Sequence, residues 1–279
     1  RNANSLTVSN SYDRAITWYN TLNYSKTLGD HNFNLLVGTE SVSTYSFGFN
    51  AQRSNFAFDD LSYRYLNNGA AAGLSNSGGG SPITALFSQF GKVNYAYKEL
   101  LLADFTIRRD GSSRFAPAYR YGIFPAFSAA WRVTSEAFMA DLPSITDLKI
   151  RGGWGEMGNS NNVDPANQFS LYAANRGNSF YPISGQSSGA NEGYFRSRIG
   201  NDAAKWETSE TLNIGFDATL LNGKWEVVLD VWRKDTRDLL FGVPLPAVVG
   251  NSASAPAVNV AKMRNQGIDF QIINRGNIT

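Results

Sequence analysis

Between Tyr121 and Val133 the residues alternate strictly, with Tyr121, Ile123, Pro125, Phe127, Ala129, Trp131 and Val133 on one side and Gly122, Phe124, Ala126, Ser128, Ala130 and Arg132 on the other. A two-residue period is that of an extended strand with one greasy face. Leu212, Ile214, Phe216, Ala218 and Leu220 repeat it against Thr211, Asn213, Gly215, Asp217 and Thr219. Trp225, Val227, Leu229 and Val231 do so against Glu226, Val228, Asp230 and Trp232, and Asn222-Gly223 between the two stretches is a strong hairpin signal. Leu6 to Lys26, Asn32 to Phe47, Leu86 to Tyr97, Leu100 to Arg109, Asp147 to Trp154 and Lys262 to Ile273 bring the expected strands to nine.

Each segment is near or above the roughly 9 to 11 residues that a tilted strand needs to cross a bilayer, Asp147 to Trp154 being the shortest. The connections alternate in length. Those at Gly29-Asp30, Lys98-Glu99 and Asn222-Gly223 are short; those from Gly48 to Thr84, Asp110 to Arg120, Gly155 to Trp206 and Leu239 to Ala261 are long. Thr134 to Thr146 is the imperfect member of the short set, and Glu136 to Leu142 within it is expected to make one helical turn ended by Pro143. Short turns at one end and long loops at the other are the habit of transmembrane barrels; a soluble sandwich has no reason to keep its long loops together. The long connections, including Gly78-Gly79-Gly80 and Gly185 to Asn191, read as irregular surface loop.

The pattern predicts an all-β fold, an antiparallel up-and-down transmembrane β-barrel of which about nine strands are present. An open sheet of that kind in lipid leaves two edges unpaired, so the remaining strands are expected outside this chain. Neither end carries a leader or a terminal cap, and the chain is expected to be a piece of something longer.

Among 279 residues, 13% are aromatic and 17% charged, and no apolar run approaches the roughly 18 residues of a membrane-spanning helix. A mean hydropathy of −0.29 does not separate soluble protein from barrel, because alternating faces average away. The formal charge of +2 is scattered, without the basic block of a nucleic-acid binder. Absent Cys removes thiolate and disulfide chemistry, and His31 alone is too little imidazole for an ordinary zinc site.

Candidate chemistry meets physical objections. Gly153-Trp154-Gly155-Glu156-Met157-Gly158 fits a dinucleotide fingerprint, yet an Asn-rich stretch and Pro165 follow where a helix is required; the glycines are expected to twist a strand end into the long loop. Asn159, Asn161, Asn162 and Asp164 are oxygen-rich but lack the alternating carboxylates of a calcium loop, so an Asn turn is expected. Glu207 and Glu210, three apart on a strand, point to opposite faces, and nothing in the sequence fixes the carboxyl spacing that a glycosidase pair requires. No enzyme activity, cofactor or metal is therefore assigned.

The alternation assigns lipid-facing positions Ile123, Phe127, Trp131, Leu212, Ile214, Phe216, Val227 and Leu229, and lumen-facing polar positions Asp104, Arg108, Arg132, Lys149, Arg151, Asp217, Glu226 and Asp230. Trp18, Tyr24, Tyr95, Tyr97, Tyr121, Trp131, Trp154 and Trp225 suit interfacial girdles. In the longest loop, Tyr172, Phe180, Tyr181, Tyr194 and Phe195 are candidates for stacking on a ligand.

Several stretches in order are familiar: Phe90-Gly91-Lys92-Val93-Asn94-Tyr95-Ala96-Tyr97-Lys98, Arg108-Arg109-Asp110-Gly111-Ser112-Ser113-Arg114-Phe115 and Phe124-Pro125-Ala126-Phe127-Ser128-Ala129-Ala130-Trp131-Arg132. Leu148-Lys149-Ile150-Arg151-Gly152-Gly153-Trp154-Gly155, Trp206-Glu207-Thr208, Thr236-Arg237-Asp238-Leu239-Leu240 and Asn265-Gln266-Gly267-Ile268-Asp269 continue the series. From about Asn32 onward the chain resembles the barrel of SusC/RagA-type TonB-linked outer-membrane proteins. The resemblance implies a barrel of about 22 strands around an N-terminal plug. It also implies import of glycans or peptides across the bacterial outer membrane, a SusD-like surface lipoprotein as lid, and energy from the TonB complex. Plug, TonB-contacting segment and remaining strands are not in this chain, residues 1–279 being barrel throughout. The rival expectations are a soluble secreted β-sandwich or carbohydrate-binding module, with its apolar faces packed on each other, and a passive porin.

Overall fold

The alternating stretches are extended in the computed structural model, which describes residues 4–165, 167–183, 185, 190–246, 248 and 253–276. In chain order the strands are β1 (Ser5–Leu28), β2 (His31–Ser54), β3 (Ser75–Gly80), β4 (Thr84–Tyr97), β5 (Leu101–Ser112), β6 (Tyr121–Arg132), β7 (Ile145–Asn159), β8 (Leu171–Ala173), β9 (Phe195–Arg198), β10 (Glu207–Leu220), β11 (Trp225–Gly242) and β12 (Ala257–Asn274). Two compact units divide the chain: Tyr19–Glu40 with Leu86–Thr279, and Arg1–Trp18 with Ser41–Ala85.

In the larger unit the path is β1, β2, β4, β5, β6, β7, β10, β11, β12, the first two through residues 19–28 and 31–40. The pairings from β4 to β12 are all antiparallel between neighbours along this path, giving the expected up-and-down order. Leu220 pairs with Trp225 around a left-handed turn in which Asn222 has φ 57° and Gly223 φ 86°, closed by the Lys224 N–H donating to the Leu221 carbonyl at 3.4 Å. Lys98 and Glu99, at φ 51° and 55°, turn β4 into β5 without a glycine. The Lys98 N–H donates to the Asp30 carbonyl at 2.9 Å and its ammonium lies 3.4 Å from the Asp30 carboxylate. That hydrogen-bonded contact raises the Lys98 pKa above its ordinary value.

In the smaller unit, β3 pairs antiparallel with β2 from Phe47–Gly80 to Gln52–Ser75. Gly78-Gly79-Gly80 is thus strand, contrary to the irregular loop expected, because backbone pairing to β2 needs no side-chain alternation. Three single 3-10 turns, Leu61–Tyr63, Leu66–Asn68 and Ala71–Gly73, precede it. The Ser62 N–H and hydroxyl donate to Asp60 at 2.9 and 2.7 Å and hold its carboxyl below the usual range.

Other boundaries also shift. β7 continues through Gly155 and Gly158 in register with β10, so these glycines do not unwind the strand; the Phe124 ring lies where a Gly158 side chain would stand. β11 runs on to Gly242 and β12 begins at Ala257, past a bulge at Asp238, whose φ of 57° absorbs the extra residues. Val133 does not complete β6; it is buried at the start of a 3-10 turn, Val133–Ser135, while a second, Ala137–Met139, is the one turn expected between Glu136 and Leu142. The longest connection holds a short β8–β9 ladder. Of the Gly185 to Asn191 stretch, residues 186–189 lie outside the described residues, while Asn191 bridges to Tyr181.

The buried apolar cluster sits where the long connections meet the strands. Phe115, Phe124, Val163, Ala204, Trp206 and Leu240 form it, with Leu86 and Ala257 packed alongside. The Trp206 ring lies 5.2 Å from Phe115 and 5.5 Å edge-on to Phe124, and its indole N–H donates to the Arg120 carbonyl at 3.0 Å.

Candidate functional site

In the larger unit the register aligns apolar residues into rows across the strands. Leu101, Trp131, Ile150, Phe216, Leu229 and Phe270 are successive partners, and so are Ala129, Gly152, Ile214, Val231 and Ile268. One face of the sheet is therefore apolar from β5 to β12. It is also open: Ile123 is 57% exposed, Phe127 50%, Ile214 58% and Ile268 69%. Trp131 and Leu212 are exposed, whereas Phe216, Val227 and Leu229 are half-covered by their neighbours in the same rows. Tyr95 and Tyr97 end β4, Trp131 nears the end of β6 and Trp225 opens β11, so rings gather at the short-turn end of this face. His31 Nδ1 lies 2.8 Å from the Tyr95 hydroxyl.

The opposite face holds the predicted polar residues. Arg151 donates to both oxygens of Asp230 at 2.6 and 2.7 Å and to Asp217 at 3.0 Å, and the Lys149 ammonium lies 2.8 Å from Asp217. Arg151 and Asp230 are not on neighbouring strands. Gly215 of β10 is the register partner of both, and a side chain there would collide with the Asp230 carboxylate. Glycine is what lets the guanidinium cross β10 and tie β7 to β11. Arg108 donates to Glu40, Ser88 and Asp110 at 2.8, 2.8 and 2.7 Å. Asp104 accepts from Asn94 and Ser128. Arg132 and Glu226 stand apart from these clusters, paired with Glu99 at 3.7 Å and Arg275 at 2.9 Å.

Glu207 and Glu210 diverge as expected. Glu207 is buried and accepts from Asn162 at 2.8 Å; Glu210 accepts from the Trp154 indole at 2.8 Å and lies 3.5 Å from Arg237, which also reaches Glu156 at 2.7 Å. Asn159 Oδ1 accepts from the Asn161 N–H at 3.0 Å in the Asn turn.

Of the loop aromatics, Tyr172 on β8, Tyr181 and Tyr194 are 64%, 68% and 72% exposed, while Phe180 and Phe195 are half-buried. The scaffold beneath them rests on asparagines that sequence reasoning passed over. Asn201 donates to the Ala257 carbonyl at 2.8 Å and Asn167 accepts from the Ala257 N–H at 3.3 Å. Asn259 accepts from the Lys205 N–H at 3.0 Å and donates back to the Lys205 carbonyl at 2.9 Å. These amides imitate a β-ladder, fastening the 160–206 connection to the start of β12. In a loop rich in Asn, nothing distinguishes them from solvated ones.

An antiparallel sheet, apolar and open on one face and ion-paired on the other, is the arrangement of a barrel wall in lipid. The profile of the family described as TonB dependent receptor-like, beta-barrel matches residues 1–278. The chain belongs to this family. It is a β-barrel segment of the bacterial outer membrane. Among curated relatives it is similar to TonB-dependent receptor P3 of Formosa agariphila, 35% identical over 93% of this chain and 25% of that protein. It is 32% identical to TonB-dependent receptor SusC of Bacteroides thetaiotaomicron over 89% of this chain and 24% of that one. The chain spans about a quarter of the length of the curated relatives it matches. A solved structure of the RagAB peptide transporter superposes with a TM-score of 0.84 at 24% identity, covering 97% of this chain and 28% of that one, which supports the fold. The two curated relatives are named TonB-dependent receptors and the solved structure a peptide transporter.

Proposed function

We propose that this chain forms part of the wall and outer rim of a TonB-dependent importer of oligosaccharides or peptides, and that it catalyses no reaction itself. The observation that carries this reading is the inversion of the sheet: its large apolar residues are exposed and its charges are tied to one another. A soluble sandwich would have covered the apolar face, and that reading gains no support. In the proposal Ile123, Phe127, Trp131, Leu212, Ile214, Phe216, Val227 and Leu229 meet lipid. Asp104, Arg108, Arg132, Lys149, Arg151, Asp217, Glu226 and Asp230 line the interior, where a plug moves under the pull of the TonB complex. The long connections lie outside the cell, with Tyr172, Tyr181 and Tyr194 offering ring faces to substrate beneath a SusD-like lipoprotein lid.

The chain contains no Cys, so single introduced thiols report cleanly on facing. In the full-length protein reconstituted in lipid, Phe127→Cys and Ile214→Cys should resist a water-soluble maleimide, while Asn213→Cys and Ser128→Cys should react. Equal reactivity of the two sets would defeat the lipid assignment. For the loop, Tyr172→Ala with Tyr194→Ala should weaken binding of the transported oligosaccharide or peptide by about tenfold without altering the barrel.

A further inference from the structure

The apolar face carries two troughs of the same construction. The first, about 700 Å³, lies among Leu22, Val37, Gly91, Ile107 and Ile123 and ends in Arg109 and Gln89. The second, about 610 Å³, lies among Leu212, Ile214, Val231 and Ile268 and ends in Arg233 and Gln266. In both, the arginine and the glutamine are direct cross-strand partners, Arg109 with Gln89 and Arg233 with Gln266. In both, one apolar residue is level with the polar pair, Ile123 beside Arg109 and Leu212 beside Arg233, and the rest of the apolar part lies toward the short-turn end. On strands that cross a membrane, this places a hydrocarbon slot in the bilayer and a cationic, amide-bearing clamp at the headgroup level of the outer leaflet.

The clamps carry positive charge in excess of their partners. Arg109 donates to Gln89 Oε1 at 2.9 Å and its guanidinium lies 3.8 Å from the Tyr121 ring centre, and neither partner is charged. Arg233 lies 3.1 Å from Asp235, but that carboxylate is also held by Arg264 at 2.5 Å, leaving two guanidinia on one anion. An exposed arginine at the top of an apolar slot has a natural counterpart in a lipid whose headgroup bears phosphate, since the planar fork accepts phosphate oxygens in pairs. Gly91 keeps the first slot open: a Cβ there would make only ordinary contacts, the nearest at 3.9 Å to the Leu36 carbonyl and a Val37 methyl.

We infer that the two troughs are binding sites for a phosphorylated, multiply acylated lipid of the outer leaflet, with acyl chains in the apolar slots and phosphate on Arg109 or Arg233. The inference rests on the reading that this face meets lipid. It extends that reading from solvation by hydrocarbon to recognition of a headgroup.

The test uses the full-length protein in phosphatidylcholine nanodiscs, with phosphorylated lipid A, its dephosphorylated form or phosphatidylglycerol added as the probe and retention measured by native mass spectrometry. Phosphorylated lipid A should be retained about tenfold better than the dephosphorylated form, with inorganic phosphate competing weakly. Arg109→Gln with Arg233→Gln should abolish that preference, and Gly91→Leu, which fills the first slot and leaves its arginine, should lower retention at that site. Equal retention of the two lipid A forms, or an unchanged preference in the double variant, overturns the inference. Retention of phosphatidylglycerol as strong as that of lipid A also overturns it, since any anionic lipid would then serve. Maleimide protection of Phe127→Cys in the same nanodiscs separates the two failures: protection without phosphate preference sinks only the lipid site, and loss of protection sinks the membrane reading beneath it.

Discussion

The two faces of β10 are built from alternate residues of one strand, yet they obey opposite rules. Leu212 and Ile214 stand exposed with only neighbours in their own rows, while Asn213, Gly215 and Asp217 line the face that the Arg151 network crosses. Burial, the usual guide to a protein's core, is misleading here. In the proposed reading the exposed set is the apolar one because its solvent is hydrocarbon, and the paired set is polar because its surroundings are wet enough to hold charge. The difference teaches that such a wall has no interior in the ordinary sense. Its stability comes from ladder hydrogen bonds, a favourable exterior and cross-strand ion pairs, with the Phe115–Trp206 cluster as a local core under the loops.

The comparison breaks most sharply at Phe127. Phe127→Arg in the full-length protein should cost about 2–4 kcal/mol if the site is near the bilayer midplane, read from urea unfolding in vesicles, and Ser128→Leu one residue away should cost less. A reversed order would exchange the two faces. Gly215→Val comes next. It parts Arg151 from Asp230, and because these side chains keep 31% and 14% of their exposure the expected loss is about 1–2 kcal/mol, below that of a fully buried pair. Arg151→Met in that background should add little; additive losses would mean that the glycine acts independently of the bridge.

Smaller effects sharpen the picture at the strand ends. Asn201→Ala should cost about 1 kcal/mol and act locally, raising hydrogen exchange across 160–206 while the strands stay protected. Uniform exchange along the chain would contradict a separately fastened loop. The smallest effect concerns Lys98, whose pKa is raised in the folded state by Asp30. A raised pKa stabilises the fold below the unfolded value, roughly 10.4, and that contribution fades as pH climbs through the folded one. The difference between parent and Lys98→Met should therefore be present at neutral pH and vanish in strong alkali.

Much of this wall was legible in the residue order. The nine strands of the path and their greasy face follow from alternation such as that at Tyr121 to Val133 and Leu212 to Leu220, since an apolar face opposed to an ion-paired one imposes the pleat's own period. The extensions were not legible. β3 consists of Ser, Asn and Gly, and β11 continues past Asp238, a left-handed residue with no glycine to announce it; both are held by backbone pairing. Within the site, the polar face could be listed from sequence but not wired. That Arg151 reaches Asp230 across Gly215 depends on the register of β7 against β10, across the whole of the longest connection, and that register is written nowhere in a single segment. The asparagine amides that fasten the loop failed for a different reason, being outnumbered by identical residues facing water.

The Arg151 bridge has a mechanical side. Ladder hydrogen bonds join each strand only to the next, so a wall built from them alone can gape at whichever seam is weakest. A guanidinium gripping carboxylates on β10 and β11 at once spans two seams, and neither can part without stretching the same group. Load applied at one seam is shared with its neighbour, much as a hoop steadies the staves of a cask while its contents are drawn through.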